Sequence, residues 1–378
     1  MSLIIDEHRE YLFDAPRIDA FRRALAAVVR PGDVVLDLAS GTGILGFLAC
    51  QAGARKVYAI DEGSIVGLSR ALARANGMHD RVEVIRGVST WVSPPERVDV
   101  IVTDQIGHLG FNAGIVEYMA DARERWLKPG GRIVPEAVEI HVAPWAHDGV
   151  REAVDCWRRP VAGLDVSVVR PMAVGTGYPF ALDASGALAP ARPIVRFDLS
   201  APRVEVAEGE AAFAAERGRA LDALAGWFVA TLAPGVTMTN APGDPNAIRR
   251  RQALLPLDQR VLVEAGERLH AHVRIRPTQT VVEWRVRIGP AEAPRAAFRH
   301  STFDGMLIST EDLQRTAPGR VPTLSAAGRA RRTVLDLCDG QRTVAEIEAA
   351  VMERHRDLLP VRADAEAFVA EVLTRYAE

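Results

Sequence analysis

Four residues near the start of the chain have the types and spacing to hold a nucleotide: Asp37, Gly41, Gly43 and Asp61. They stand in the run VVLDLASGTGILGFLACQAGARKVYAID, residues 34–61. Glycines at 41 and 43 let the backbone turn sharply and approach a ligand closely. A helix starting just after them would aim unpaired N–H groups at polar ligand atoms. Asp61 falls 18 residues after Gly43, at the end of the next strand. A carboxylate there can accept hydrogen bonds from both hydroxyls of a ribose. The bland alternative is a tight turn in some other α/β protein; strand, loop, helix and acidic strand end in register weigh against it. The ribose acid alone would also suit NAD. The loop is read as lacking the third glycine of G-x-G-x-x-G, and an acid at position 37 on the first strand favours S-adenosylmethionine (SAM).

The elements that must position these residues follow from the apolar pattern. Strands over 34–38, 56–60, 82–86 and 98–103 alternate with helices over 43–52, 64–76 and 112–127, and a further strand starts at 132. Such alternation implies an α/β domain with a parallel sheet covered on both faces. An amphipathic helix over 18–29 precedes it and stops at Pro31-Gly32-Asp33. From about residue 137 the period becomes two, as in Glu139-Ile140-His141-Val142 and over 282–288, which predicts an antiparallel barrel or sandwich. Helical inserts are expected near 150–157 and 210–224, and residues 289–305 read as a linker. Three helices close the chain, over 324–338, 343–355 and 364–376, the second opened by a capping box from Thr343 to Glu346. The expected domains are 1–136, 137–290 and 306–378.

The chain has 378 residues, 48% of them apolar, enough for two or three domains with cores of their own. A formal charge of -3 argues against binding nucleic acid through charge. Cys50, Cys156 and Cys338 are far apart and in no metal-like spacing, which fits a reducing cytoplasm without disulfide or zinc site. The acidic start MSLIIDEHRE is unlike a signal peptide. No apolar run approaches the roughly 20 residues that span a bilayer. A soluble cytoplasmic protein without membrane contact is expected.

Residues 8–288 resemble the protein arginine methyltransferases. The resemblance rests on HREYLFDAPR (8–17), LDLASGTGILGFLACQAGARKVYAID (36–61), TDQIGHLGF (103–111) and ARERWLKPGGRIVPE (122–136), and runs more faintly through CWRRPVAGLDVSVV (156–169). It implies a Rossmann-like class I methyltransferase domain, a β-barrel domain, and a homodimer made by an arm at about 154–177. It implies SAM as methyl donor and S-adenosylhomocysteine (SAH) as product. Arg17 would pair with the SAM carboxylate, Asp37 and Gly41 would hold its methionine part, and Asp61 its ribose. Ala39, Thr42, Gly43, Glu62, Val88, Ser89 and Asp104 complete the implied cofactor set.

The acceptor side departs from that family, whose members clamp a guanidinium with two glutamates on one loop. Here the first position is Asp104 and the second is Ala113; Gln105 replaces a Trp and His108 a Tyr. The family's Thr-His-Trp loop corresponds to a segment near Asn246-Ala247-Ile248. A cation needs its paired carboxylates, so arginine is not the expected acceptor; a histidine nitrogen, a carboxylate and a backbone amide stay open. Asp104 and His108 are expected to orient or deprotonate the acceptor, with a capping Asp and a loop-lining His as the plain alternatives. His270 and His272 share a strand face but have no third ligand, so a packing role is expected and no metal.

Residues 306–378 resemble the small winged-helix (PqqD-like) peptide chaperone of pyrroloquinoline quinone biosynthesis. The match rests on LSAAGRARRTVLDLCDGQRTVAEIEAAVMERH (324–355) and AEAFVAEVLTRY (365–376). Such domains bind the leader of a ribosomally synthesised, modified peptide by adding a strand to a small sheet; here residues 305–309 and 320–323 would have to supply that sheet. A plain helical bundle competes. The combined expectation is a SAM-dependent methyltransferase of a precursor peptide, with the leader tethered by the C-terminal domain. The alternatives are an arginine methyltransferase with an altered site and a SAM-binding scaffold without turnover.

Overall fold

Two helices open the described chain, α1 (Ile4–Leu12) and α2 (Ala15–Val28). Phe21, Ala24, Leu25 and Val28 recur at helical spacing and form the buried stripe of α2. Burying Phe21 and Leu25 contributes roughly 1.5–3 kcal/mol each. Asp14 caps the helix, and Pro16 stands in its first turn, where no intrahelical N–H is missed. The computed structural model describes residues 4–290 and 292–377, which form two units, one ending at Met306 and the next beginning at Leu307.

The α/β part of the first unit runs β1 (Val34–Leu38), α3 (Ile44–Gln51), β2 (Lys56–Asp61), α4 (Val66–Ala75), β3 (Val82–Arg86), β4 (Val98–Thr103), α5 (Ile115–Arg125) and β5 (Leu127–Val134). The strands are parallel, in the order β3-β2-β1-β4-β5. Every residue of β1 is buried, as a strand covered on both faces requires. Strand order reverses at β1, with β2 on one side and β4 on the other. The carboxyl ends of β1 and β4 therefore flank the crevice where open α/β sheets bind ligands.

The second part holds β6 (Ala137–Trp145), α6 (Asp148–Asp155), α7 (Arg170–Val174), β7 (Tyr178–Phe180), β8 (Arg192–Asp198), β9 (Ala207–Ala214), β10 (Arg219–Ala233), β11 (Val236–Thr239), β12 (Gln252–Val263), β13 (Arg268–Arg276), β14 (Val281–Ile288) and β15 (Ala296–Ser301). They form two antiparallel sheets, β7-β12-β10-β6-β8 with β11 on β10, and β15-β14-β13-β9. On β13, Leu269, Ala271, Val273 and Ile275 face the core and alternate with more exposed residues.

Two expectations fail here. Residues 210–224 are not helical; they belong to β9 and β10. Their many alanines favour a helix locally, but β10 lies between β6 and β12 with both faces buried, where small side chains let neighbouring layers close up. Gly209 lies against the Ile194 carbonyl, where a Cβ would stand 1.7 Å from its oxygen. Residues 289–305 are not a plain linker, because β15 pairs with β14 along its whole length. Its signal is faint because a sheet-edge strand with one buried side chain, Phe298, shows little alternation.

The second unit holds α8 (Thr310–Arg315), α9 (Ala326–Leu337), α10 (Val344–Arg354) and α11 (Arg362–Tyr376) around a core that includes Val334, Leu337, Ile347, Val351, Val369 and Val372. The capping box is formed: Thr343 N–H donates to Glu346 Oε2 at 2.8 Å, and Glu346 N–H to Thr343 Oγ1 at 3.4 Å. The described residues 307–377 include no strand. The segments at 305–309 and 320–323 find no pairing partner, so the expected small sheet is not formed.

Candidate active site

Chain direction places the first half of the site. The loop leaving β1 turns through Ala39 and Gly41, both at positive φ (54° and 53°), and through Gly43 at 81°, which starts α3. For Ala39 that conformation is strained. Asp61, ending β2, accepts from Gly41 N–H through Oδ2 at 2.9 Å and from Gly63 N–H through Oδ1 at 2.8 Å. The carboxylate is thus fixed with lone pairs to spare. Asp37, on β1, accepts from Gly46 N–H at 2.8 Å. Gly46 does stand at the third position of G-x-G-x-x-G, contrary to the reading of the loop; a Cβ there would lie 2.9 Å from Val57 Cγ1 and 3.1 Å from Asp37 Oδ2. The glycines therefore do not separate SAM from NAD, and the acid at 37 bears that distinction.

Two cavities meet at this loop. One of about 150 Å³ is lined by Glu62, Val88, Ser89 and Tyr118 among others. The other, of about 480 Å³, is lined by His8, Arg17, Thr42, Asp104, His108 and Ala113 among others. Ala39, Asp61 and Gln105 border both. Nine of the eleven residues expected at the cofactor line these cavities; Gly43 does not, and Asp37 is buried on β1 with its Oδ1 unpartnered. Asp37 Oδ1, Ser40 Oγ and Gln105 Oε1 are buried without hydrogen-bond partners. Buried orphans are costly, and a ligand with an amino group and a nucleoside would satisfy them. The residues present therefore fit SAM: the smaller cavity suits the base, Asp61 the ribose, and Asp37 with Arg17 the amino acid end. Bound there, SAM supplies a methyl group on a positively charged sulfur. Burial pushes the Asp37 carboxyl up to about 7, against the Gly46 N–H and Arg17, which pull it down, while Asp61 adds to the rise.

Asp104 follows β4 directly. It was expected to act on the acceptor, but its oxygens are taken by two arginines. Arg17 Nε donates to Oδ2 at 2.6 Å; Arg250 Nη2 donates to Oδ2 at 2.9 Å and Nη1 to Oδ1 at 3.2 Å. All three side chains are at most 10% exposed. Burial alone would raise the Asp104 carboxyl, but Arg250 and Arg17 outweigh it and hold the group below its usual range. It is a counter-ion and a poor proton acceptor.

Arg250 is the residue that sequence reasoning missed. It belongs to Arg249-Arg250-Arg251, just past the segment named as the counterpart of the Thr-His-Trp loop. Three consecutive arginines were the available signal, but such runs are usually solvated surface. Here buried amides fix the backbone. Asn240 Nδ2 donates to the His108 carbonyl at 3.0 Å and the Arg251 carbonyl at 2.9 Å, and Gln252 Nε2 to the Arg250 carbonyl at 3.1 Å. Asp14, while capping α2, also accepts from Arg249 N–H at 2.7 Å. His108 Nδ1 lies 3.1 Å from the Arg251 carbonyl. A carbonyl only accepts, so Nδ1 carries the proton and Nε2 is the free acceptor. Burial lowers the His108 pKa, which keeps the ring neutral at physiological pH.

A family model described as ribosomal protein L11 methyltransferase (PrmA) matches residues 22–136. Over 287 residues the chain is 30% identical to protein arginine N-methyltransferase 6 of Xenopus laevis, covering 72% of this chain and 84% of that one. Over 269 residues it is 32% identical to an arginine N(omega)-methyltransferase of Streptomyces achromogenes subsp. streptozoticus, covering 69% of this chain and 74% of that one. The chain belongs to the protein arginine methyltransferase family. With some other curated members of this family the match spans only 37–49% of their length. A solved arginine methyltransferase, the Trypanosoma brucei PRMT1 enzyme-prozyme heterotetrameric complex with AdoHcy, shares the fold at a TM-score of 0.67 and 23% identity, over 78% of this chain and 97% of that one. Like its family, this chain is a SAM-dependent methyltransferase. Within the family frame, the cavity that would receive a guanidinium presents Ala113 and an already neutralised Asp104.

Proposed function

We propose that this enzyme methylates a ribosomally synthesised precursor peptide in the cytoplasm, at an acceptor other than a guanidinium. The observation that carries the reading is the Arg17–Asp104–Arg250 cluster. Its one carboxylate is shared between two buried cations, and Ala113 offers no second one. A guanidinium entering this cavity would meet cations where it needs anions. A peptide is favoured because the cavity adjoins a groove of about 490 Å³ that shares Glu10, Arg249, Arg250 and Arg251 with it, room for an extended chain. Residues 307–377 make a separate helical unit with its own core; we assign it to hold a leader, by a contact other than strand addition, and so to raise the local concentration of the core peptide.

The test uses labelled SAM and a lysate of the source organism, with the full chain and with a chain ending at Met306. Label should enter a small peptide and fall by about 100-fold without residues 307–378. In the same assay Ala113→Glu should add no label to arginine, because Asp104 stays neutralised. Label on arginines of many proteins, independent of the tail, would overturn the reading.

We also infer a homodimer through the arm at about 154–177. Val161, Leu164 and Val168 there are 60%, 69% and 80% exposed, apolar side chains that a partner's surface would cover. Equilibrium sedimentation at micromolar concentration should give twice the chain mass; a monomer would refute it.

A further inference from the structure

We infer that the acceptor is a carboxylate of the peptide, read by Arg249, Arg250 and Arg251. This rests on the peptide methyltransferase reading above and narrows it to one substrate class.

Charge is the first argument. Arg17, Asp104 and Arg250 together carry a net charge of +1 in a nearly dry place. Isolated buried charge is expensive unless an anion joins it. SAM brings a carboxylate, an ammonium and a sulfonium, so it adds positive charge overall. With the cofactor bound and Asp37 ionised against its ammonium, the cluster and SAM still leave a net charge of +1, which a carboxylate acceptor offsets. Arg249 and Arg251 line the same cavity, and neither side chain has a hydrogen bond or ion pair among the described residues. The other charged groups lining it are Glu7 and Glu10, both exposed, and Asp61, which backbone N–H groups hold at the ribose end. Exposed carboxylates are screened by water and salt far more than the buried cluster.

Placement is the second argument. The arginine segment is not a loose loop: Asn240, Gln252 and Asp14 hold its backbone. A guanidinium on a fixed backbone can offer two parallel N–H donors to a carboxylate.

The chemistry agrees. A carboxylate is already an anion at neutral pH. One of its oxygen lone pairs forms the new O–CH3 bond as the CH3–S bond breaks. The broken bond's electron pair stays on sulfur, which becomes a neutral thioether, and no proton is released. The site therefore needs no general base, and Asp104, held by two arginines, is not one.

The experiment titrates the full chain, loaded with SAH, with three small probes followed by ligand-observed NMR. N-acetylglutamic acid α-amide presents a side-chain carboxylate, N-acetylglycine a C-terminal carboxylate, and N-acetylarginine amide a guanidinium. The carboxylates should bind and the guanidinium should not; the tighter of the two names the source. Arg249→Gln with Arg251→Gln should weaken the carboxylates by about tenfold. Both residues are exposed, and unchanged SAH binding will show that the variant is folded. Tighter binding of the arginine amide, carboxylate binding indifferent to the double variant, or no carboxylate binding at millimolar concentration would each overturn the inference. Peptide label from the lysate assay should come off in mild alkali as methanol, as an ester requires. Alkali-stable label would refute the carboxylate while leaving the peptide methyltransferase intact; no peptide label at all would remove that broader reading instead.

Discussion

Asp104→Ala should destabilise the first unit by about 3–5 kcal/mol, the usual cost of stripping one partner from a buried ion pair. The carboxylate meets Arg17 at 2.6 Å and Arg250 at 2.9 Å, and removing it strands two guanidiniums that water scarcely reaches. Their remaining contacts are weaker. Arg17 Nη1 donates to the Tyr11 carbonyl at 3.1 Å, and both guanidiniums lie within 6 Å of aromatic ring centres. Cation–π contacts of that kind contribute about 0.5–2 kcal/mol, too little to replace a shared carboxylate. All six tryptophans lie before residue 307, so urea unfolding followed by tryptophan fluorescence reads the first unit alone. Adding Arg250→Met to Asp104→Ala should recover part of the loss, because it removes one stranded charge and fills the space with an apolar chain. An unchanged urea midpoint in Asp104→Ala would mean that the cluster is hydrated and that its charge does not shape the acceptor site.

SAH affinity should fall by up to tenfold per unit as pH drops below about 7, and Asp37→Asn should abolish that slope. Burial raises the Asp37 carboxyl to about 7 in the ligand-free protein. The ligand's ammonium pairs with the carboxylate and not with the acid, so below pH 7 binding must first remove a proton. The sign for folding is the opposite. A raised carboxyl pKa gives stability that is fully present below its unfolded value near 4 and is lost as pH rises through 7. The melting temperature of the free protein should therefore gain from acidification between pH 8 and 5 as far as this group decides it, while the extra stabilisation given by SAH should shrink. At pH 8, Asp37→Asn should bind SAH about 100-fold more weakly, since a charge-assisted bond is lost. Calorimetry of both proteins from pH 5 to 8 checks this. A flat profile in the native chain would place the amino group elsewhere.

The sequence by itself determined the α/β half. The strands over 34–38, 82–86 and 98–103 fall at the expected bounds because each is a short run rich in Val, Ile and Leu between turn signals. The turn after β1 was legible in outline, since Asp61 and the positive-φ glycines lie within one βαβ unit and their spacing is local, but Gly46, the third glycine of the pattern, was overlooked. The Thr343–Glu346 capping box was legible for the same reason. Tertiary structure decided what depended on distant neighbours. Residues 210–214 and 219–224 carry helix-favouring alanines, yet they become strands through long-range pairing, β9 with β13 and β10 with β6 and β12. Most of all, it decided the charge of the acceptor cavity. Asp104 and Arg250 are 146 positions apart, and no local pattern links them. Only the packing of the antiparallel sheets against the end of β4 turns a proposed proton acceptor into a counter-ion, because a carboxylate between two buried guanidiniums is held ionised.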